Sequence, residues 1–274
     1  MAALMTIATA TAASLSHAPI QSAATTEAAV MPADTTSLIF QPGSYDKLYY
    51  KKLSRNTVEV AGIDQSMFIG KVIIPAKVSY EGKQYKVVRV GDRAFAGDRD
   101  VISITVPATV TEIGDEAFAH CEHLTDVTIQ GELEAFGSWV TAYSPELKVF
   151  TIAKGKKYVT LANTVYDKTG KRLLAGCSGS SIAKNDGLTI VSGAFAGASF
   201  KKLVITSEHI TLKADAFKDC PKLLYVDIEA QHYSISTSAF RGCENMKEMR
   251  LSVINHNDIG KKLTDTPAIL NELK

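Results

Sequence analysis

The chain has 274 residues, 46% hydrophobic and 22% charged, so it carries ample material for a core and is not a disordered polyelectrolyte. Thirty Lys and Arg against 29 Asp and Glu leave a net charge of +1, which disfavours a nucleic-acid partner, since neutralising phosphates takes a basic excess. No stretch approaches about 18 uninterrupted apolar residues, so no transmembrane helix is expected.

Residues 1–36 read as a signal-like leader and linker. They are rich in Ala, Thr and Ser, and the first charged residue is Glu27. Ala2 to Leu15 reads as the apolar part of a secretory signal and Ser16-His17-Ala18 as its small-residue cleavage site, although the usual basic start is missing. Export to the medium or the cell surface is the expectation.

Residues 37–89 read as an N-terminal β-rich cap. Tyr49 to Leu53 and Thr57 to Ala61 alternate as a hairpin around Ser54-Arg55-Asn56, and Lys71 to Ile74 and Tyr85 to Val90 are further strands, with Glu81-Gly82 as a turn. A stack of repeats needs such a cover, because its first coil otherwise exposes an apolar end and an unpaired strand edge.

From Val90 to Val253 a segment of about 23 residues recurs. Five copies carry an Ala-Phe pair: Ala94-Phe95, Ala117-Phe118, Ala194-Phe195, Ala216-Phe217 and Ala239-Phe240. An apolar residue stands five before each Phe (Val90, Ile113, Ile190, Leu212, Ile235), and in most copies another stands six after it (Val101, Leu124, Leu223, Met246). Alternations such as Val127-Thr128-Ile129 and Val226-Asp227-Ile228 then mark one short half-buried strand per coil. A fixed period of this length predicts a solenoid with a parallel sheet, little regular helix, and Phe95, Phe118, Phe195, Phe217 and Phe240 stacked as a spine from the opposite wall.

The register lapses twice. Phe136 to Ile152 keeps the spacing but puts Val140-Thr141 where Ala-Phe belongs, and the single Trp, Trp139, is expected to fill the missing volume in preference to the alternative, stacking on a ligand. Residues 153–189 are longer than a coil and read as a hairpin insert, with strands Tyr158 to Val165 and Arg172 to Ala175 flanking Asp167-Lys168-Thr169-Gly170. Residues 254–274 lose the repeat and read as a C-terminal cap or tail, with Pro267 to Leu273 as a helical turn.

These residues resemble the BspA-type leucine-rich repeat family. Ile113-Gly114, Ala117-Phe118, Cys121, Leu124, Val127 and Ile129 follow its repeat, Val106-Pro107 and Ile74-Pro75 match its strand-ending Ile-Pro, and the hairpin near Tyr166 resembles a common insert. The resemblance covers about Tyr50 to Val253. It implies a leucine-rich-repeat solenoid on a secreted or surface protein that binds host or microbial partners; the partner itself is not implied, since repeat folds host unrelated functions.

Chemistry-bearing residues mostly reduce to repeat positions. Cys121, Cys220 and Cys243 share one position, three after the Phe, and so belong with the Phe residues to the structural core of the repeat; a Cys220–Cys243 disulfide is disfavoured because stacked positions rarely offer its geometry. Cys177 lies in the insert and has no assigned role. His120-Cys121-Glu122-His123 has the composition of a metal cluster, but its side chains straddle a turn and diverge. His209, His232 and His256 follow the strand ends on neighbouring coils and form an imidazole edge, read as exposed surface. Without a nucleophile elbow, a phosphate loop or a zinc-protease helix motif, no catalytic residue, metal or cofactor is assigned, and the chain is not expected to be an enzyme.

Binding is therefore expected on the outward strand positions. Thr105, Thr128 and Thr151 are bland β surface, whereas Tyr225, Asp227, Glu248 and Arg250 mix an aromatic with charges, a composition commoner at recognition surfaces. The functional expectation is an adhesin-like protein binding a host-matrix or microbial-surface protein. The alternative is a surface glycan- or nutrient-binding accessory protein.

Overall fold

The structure, a computed structural model, describes residues 39–40, 47–64, 70–153 and 155–253. The leader reading, His256, and the helical turn at Pro267 to Leu273 lie outside the described residues. The described residues form strands and turns without helix, and hence without a helix long and apolar enough to cross a membrane.

The chain begins with β1 (Ile39–Phe40), β2 (Leu48–Lys52) and β3 (Thr57–Ile63), paired antiparallel in sequence order. The β2–β3 turn is closed by the amides of Leu53 and Ser54 on the Thr57 carbonyl, as the Ser54-Arg55-Asn56 signal predicts. β4 (Lys71–Ile73) follows, and β5 (Lys77–Tyr80) pairs antiparallel with β6 (Lys83–Val90) across the Glu81-Gly82 turn. From here two ladders grow side by side. β6 pairs parallel with β3 on one edge and with β8 (Glu112–Ile113) on the other, and β10 (Ala135–Phe136) follows; β4 pairs with β7 (Ser103–Val106), then β9 (Asp126–Ile129) and β11 (Val149–Ile152). Each coil of this half thus carries a second, two-residue rung besides the expected strand. The rung is built from the apolar position five before the Phe, with Val90 opposite Ile113 and Ile113 opposite Phe136.

The insert is a three-stranded meander: β12 (Tyr158–Leu161), β13 (Thr164–Asp167) and β14 (Arg172–Ala175). The expected single strand Tyr158 to Val165 is divided because Ala162 and Asn163 both adopt positive φ, 49° and 58°, the signature of a tight hairpin turn. β14 then starts the parallel ladder of β15 (Leu188–Ile190), β16 (Lys202–Leu212), β17 (Tyr225–Ile235) and β18 (Glu248–Val253). β16 and β17 run 11 residues each, because TSEHIT and EAQHYS continue the extended backbone from the outward rows to the apolar position five before the Phe. What is two short strands per coil in the first half is one long strand here.

The core follows the same division. Inward side chains of the strands meet the Phe residues, and all five Phe side chains are buried. They do not form one column. Phe95 stacks on Phe118 at 5.8 Å between ring centroids, and Phe195, Phe217 and Phe240 stack at 5.1 Å per step, but the sequence lapse at Val140-Thr141 separates the two stacks and two apolar clusters result. Trp139 does not fill the gap. Phe150 does, from β11: it stands where the neighbouring strand has Val127, and its ring approaches Phe118 at 6.5 Å and Phe136 at 6.1 Å. Thr141, buried at the Phe position, donates to the Gly176 carbonyl at 3.0 Å, satisfying its hydroxyl in the interior.

Candidate functional site

The outward strand positions fall on two separate ladders. Ile73, Thr105, Thr128 and Thr151 are in register on β4, β7, β9 and β11; Val204, Asp227 and Arg250 are in register on β16, β17 and β18. Strand pairing does not join Thr151 to Val204, because the strands of the 153–189 insert pair only within the second ladder. On the second ladder Lys202, Tyr225 and Glu248 form the neighbouring row. Tyr225 is 41% exposed and Val204 45% exposed. The Nε of Arg250 donates to the Glu248 carboxylate at 2.7 Å, and this bond, with the charges of Glu248 and Asp227, raises the already high Arg250 pKa. The three Thr residues of the first ladder are half-buried between their neighbours, a plain β surface.

The repeat position three after the Phe has a definite role. The Sγ of Cys121, Cys220 and Cys243 donates to the carbonyl of the Phe one coil back (Phe95, Phe195 and Phe217) at 3.0, 3.2 and 3.0 Å. Ser144 makes the same bond to Phe118 at 2.8 Å and accepts from the Cys121 amide at 3.1 Å. All four cysteines are free and buried, and burial pushes the Cys121 thiol up to about 12. Cys177 packs in the insert beside Ser180 and the Asn163 carbonyl, and burial raises its pKa also.

The His groups separate. His123 is exposed, and His120 turns instead to Tyr143, stacking on it at 4.6 Å with planes 14° apart. His209 and His232 are in register on β16 and β17 with rings stacked at 4.7 Å. Among the described residues no group of three or more His, Cys, Asp and Glu is arranged to hold a metal.

A second surface, not marked by the strand alternation, lies on the turn wall. In five coils the residues two before and two after the Phe position adopt left-handed backbone: Arg93 and Gly97, Glu116 and His120, Trp139 and Tyr143, Gly193 and Gly197, Asp215 and Asp219; in the Phe240 coil only Gly242 does. These turns throw their side chains outward in two columns, while the backbone between them is spent in coil-to-coil bonds such as Phe118 N to Val140 O and His120 N to Ala142 O. Ala119, Ala142 and Ala196, one after the Phe position, line the floor between the columns. The insert leaves this wall unbroken: the Tyr143 amide donates directly to the Ala196 carbonyl at 2.8 Å, although the two residues lie 53 apart in sequence. A half-open cavity of about 350 Å³ results, lined by Arg93, Glu116, Ala119, His120, Trp139, Ala142, Tyr143 and Lys218. Trp139 and Tyr143 are held there because glycine follows both: a Cβ on Gly193 would fall 2.2 Å from the indole, and one on Gly197 2.8 Å from the phenol ring. The sequence signal was available, as Gly193 and Gly197 each lie one stacked coil beyond an aromatic, but it is readable only when the insert is skipped.

Residues 63–168 and 167–266 match the family described as BspA type leucine rich repeat region, in 6 copies. No curated protein matches the sequence. Similar solved structures include a leucine-rich repeat protein from Bacteroides capillosus ATCC 29799, 28% identical over 43% of this chain and 87% of that one, with a TM-score of 0.38. A leucine rich cell surface protein from Faecalibacterium prausnitzii A2-165 is 17% identical over 79% of this chain and 88% of that one, with a TM-score of 0.32. A leucine-rich repeat protein from Bacteroides ovatus ATCC 8483 is 18% identical over 78% and 72%, with a TM-score of 0.32. With its repeats matched across most of its length, the chain belongs to the BspA-type leucine-rich repeat family.

Proposed function

We propose that the chain is an exported or cell-surface adhesin-like protein that binds a protein of a host matrix or of another microbial surface, and that it does so through the outward face of β16–β18. A leucine-rich repeat solenoid is typically a protein-interaction module rather than a catalytic enzyme. The observation that carries the assignment to this face is the exposure of Val204 and Tyr225 on adjacent strands, flanked by Asp227 and by the Glu248–Arg250 pair. An exposed apolar side chain beside an aromatic, rimmed by charge, is the composition of a binding patch, whereas the row of Thr105, Thr128 and Thr151 has the exposed Ile73 at its edge but no aromatic or charge in it. Export is supported by the apolar, small-residue stretch Ala2 to Leu15 and the Ser16-His17-Ala18 site after it.

The test compares wild type with the Asp227→Lys, Arg250→Glu double variant. Immobilised proteins capture partners from extracellular-matrix extract, and each captured protein is then purified and titrated. Wild type should bind a purified matrix protein, and the double variant should bind it at least tenfold more weakly with an unchanged Tm. Equal affinity for the two would remove the site from this face.

A further inference from the structure

We infer that the cavity on the turn wall is a second, separate binding site, and that it takes an acidic saccharide, a sugar ring bearing a carboxylate. Three observations support it. The first is the shape and lining. The volume, about 350 Å³, is in the range of small-molecule sites, which run from about 300 to 1,000 Å³. Ala119 and Ala142 lie buried beneath it, and Trp139, Tyr143 and His120 rise beside it, so its apolar contact surface comes from the rings. Aromatic walls suit the C–H face of a pyranose ring.

The second is the charge. The cavity holds two cations and one carboxylate. The charges of Arg93 and Glu116 pair with each other at 2.8 Å, through one guanidinium N–H and one carboxylate oxygen. Lys218 keeps only a 3.9 Å contact with Asp219, whose Oδ2 already accepts the Tyr143 hydroxyl at 2.9 Å. The ammonium of Lys218 is the lining charge least matched within the protein, and it calls for an anion.

The third excludes an extended peptide. Strand addition needs free backbone donors and acceptors, and on this wall the amides of Phe95, Phe118, His120 and Tyr143 all donate to the next coil. Hydrogen bonding in the cavity comes from side chains, the Glu116 carboxylate, the Arg93 guanidinium and the His120 ring, which is the pattern that recognises hydroxyl groups. The aromatic pair itself is a built feature, held by two glycines at positive φ, 72° at Gly193 and 73° at Gly197.

Calorimetric titration of the full chain with the trimer of galacturonic acid tests this, with maltotriose as the neutral sugar and triglutamate as the acidic peptide. The acidic trimer should bind, maltotriose at least tenfold more weakly, and triglutamate not at all. Trp139→Ala should weaken the trimer at least tenfold. Lys218→Gln, a change at a surface ammonium that spares the fold, should abolish the preference over maltotriose. The Asp227→Lys, Arg250→Glu variant should bind the trimer as wild type does, since its changes lie on another wall. No binding of the acidic trimer, equal binding of triglutamate, or a Lys218→Gln variant of unchanged preference would overturn the inference. Loss in the strand-face variant alone would move the sugar to that face and overturn it too.

Discussion

The indole of Trp139 lies against the backbone of Gly193, so close that a Cβ on the glycine would fall 2.2 Å from its Cδ2. The two residues are 54 apart in sequence yet occupy consecutive coils of the turn wall. Gly193 also has φ +72°, a conformation that L side chains rarely adopt. Gly193→Ala therefore adds backbone strain to a steric conflict, and a stability loss of about 1–3 kcal/mol is expected. As Trp139 is the only Trp, its emission reports the displacement directly. Thermal unfolding followed by fluorescence should show a lower Tm and a red-shifted native spectrum. Gly187→Ala, at a glycine with open space around its Cβ position and no positive φ, should change neither.

Ser144 stands in for the repeat cysteine, and its hydroxyl serves two buried groups at once: it donates to the Phe118 carbonyl and accepts from the Cys121 amide. Ser144→Ala strands both, and leaving buried polar groups unpaired costs about 1–3 kcal/mol each. A loss of about 2–4 kcal/mol in urea unfolding is expected. Ser144→Cys restores the donor that the other coils use and should recover at least half of it. Equal losses for the two variants would show that shape, and not the hydrogen bond, governs this position.

Burial, with the nearby charge of Asp98, raises the Cys121 pKa from 9.0 to about 12. The unfolded thiol loses its proton near pH 9, while the folded one keeps it. Between these values the unfolded state binds fewer protons, so alkalinity favours unfolding. This contribution is complete below pH 9 and is lost as the pH rises towards 12. At about pH 10.5 wild type should therefore have lost about 2 kcal/mol more than Cys121→Ser, each relative to its own value at pH 8. The protonated, buried thiol should also resist alkylation in the native protein and react readily in urea.

The fold was legible where the period is local. The Ala-Phe pairs, the apolar residue five before them and the strand alternation all lie within one coil, and each appears in the structure at its expected register. Features that depend on which coils touch were not legible. The Val140-Thr141 lapse suggested compensation by its neighbour Trp139, but the Phe wall turns outward at that position, where Trp139 has φ +56°, and the volume is restored from across the core by Phe150. The long strands β16 and β17 are another case, since nothing in the 23-residue alternation marks how far past the outward rows the backbone stays extended. The aromatic cavity is not legible in the repeat pattern because its two columns are polar or glycine in most coils, and only Trp139, Tyr143 and His120 give them chemistry.

The strand face is the centre of the functional account, and one measurement addresses it most directly. A matrix protein captured by wild type is purified and titrated against wild type and against Asp227→Lys, Arg250→Glu by biolayer interferometry, with Tm recorded for both. The account predicts at least a tenfold loss of affinity at an unchanged Tm, because these side chains are outward and none supports the core. Equal affinities would contradict it.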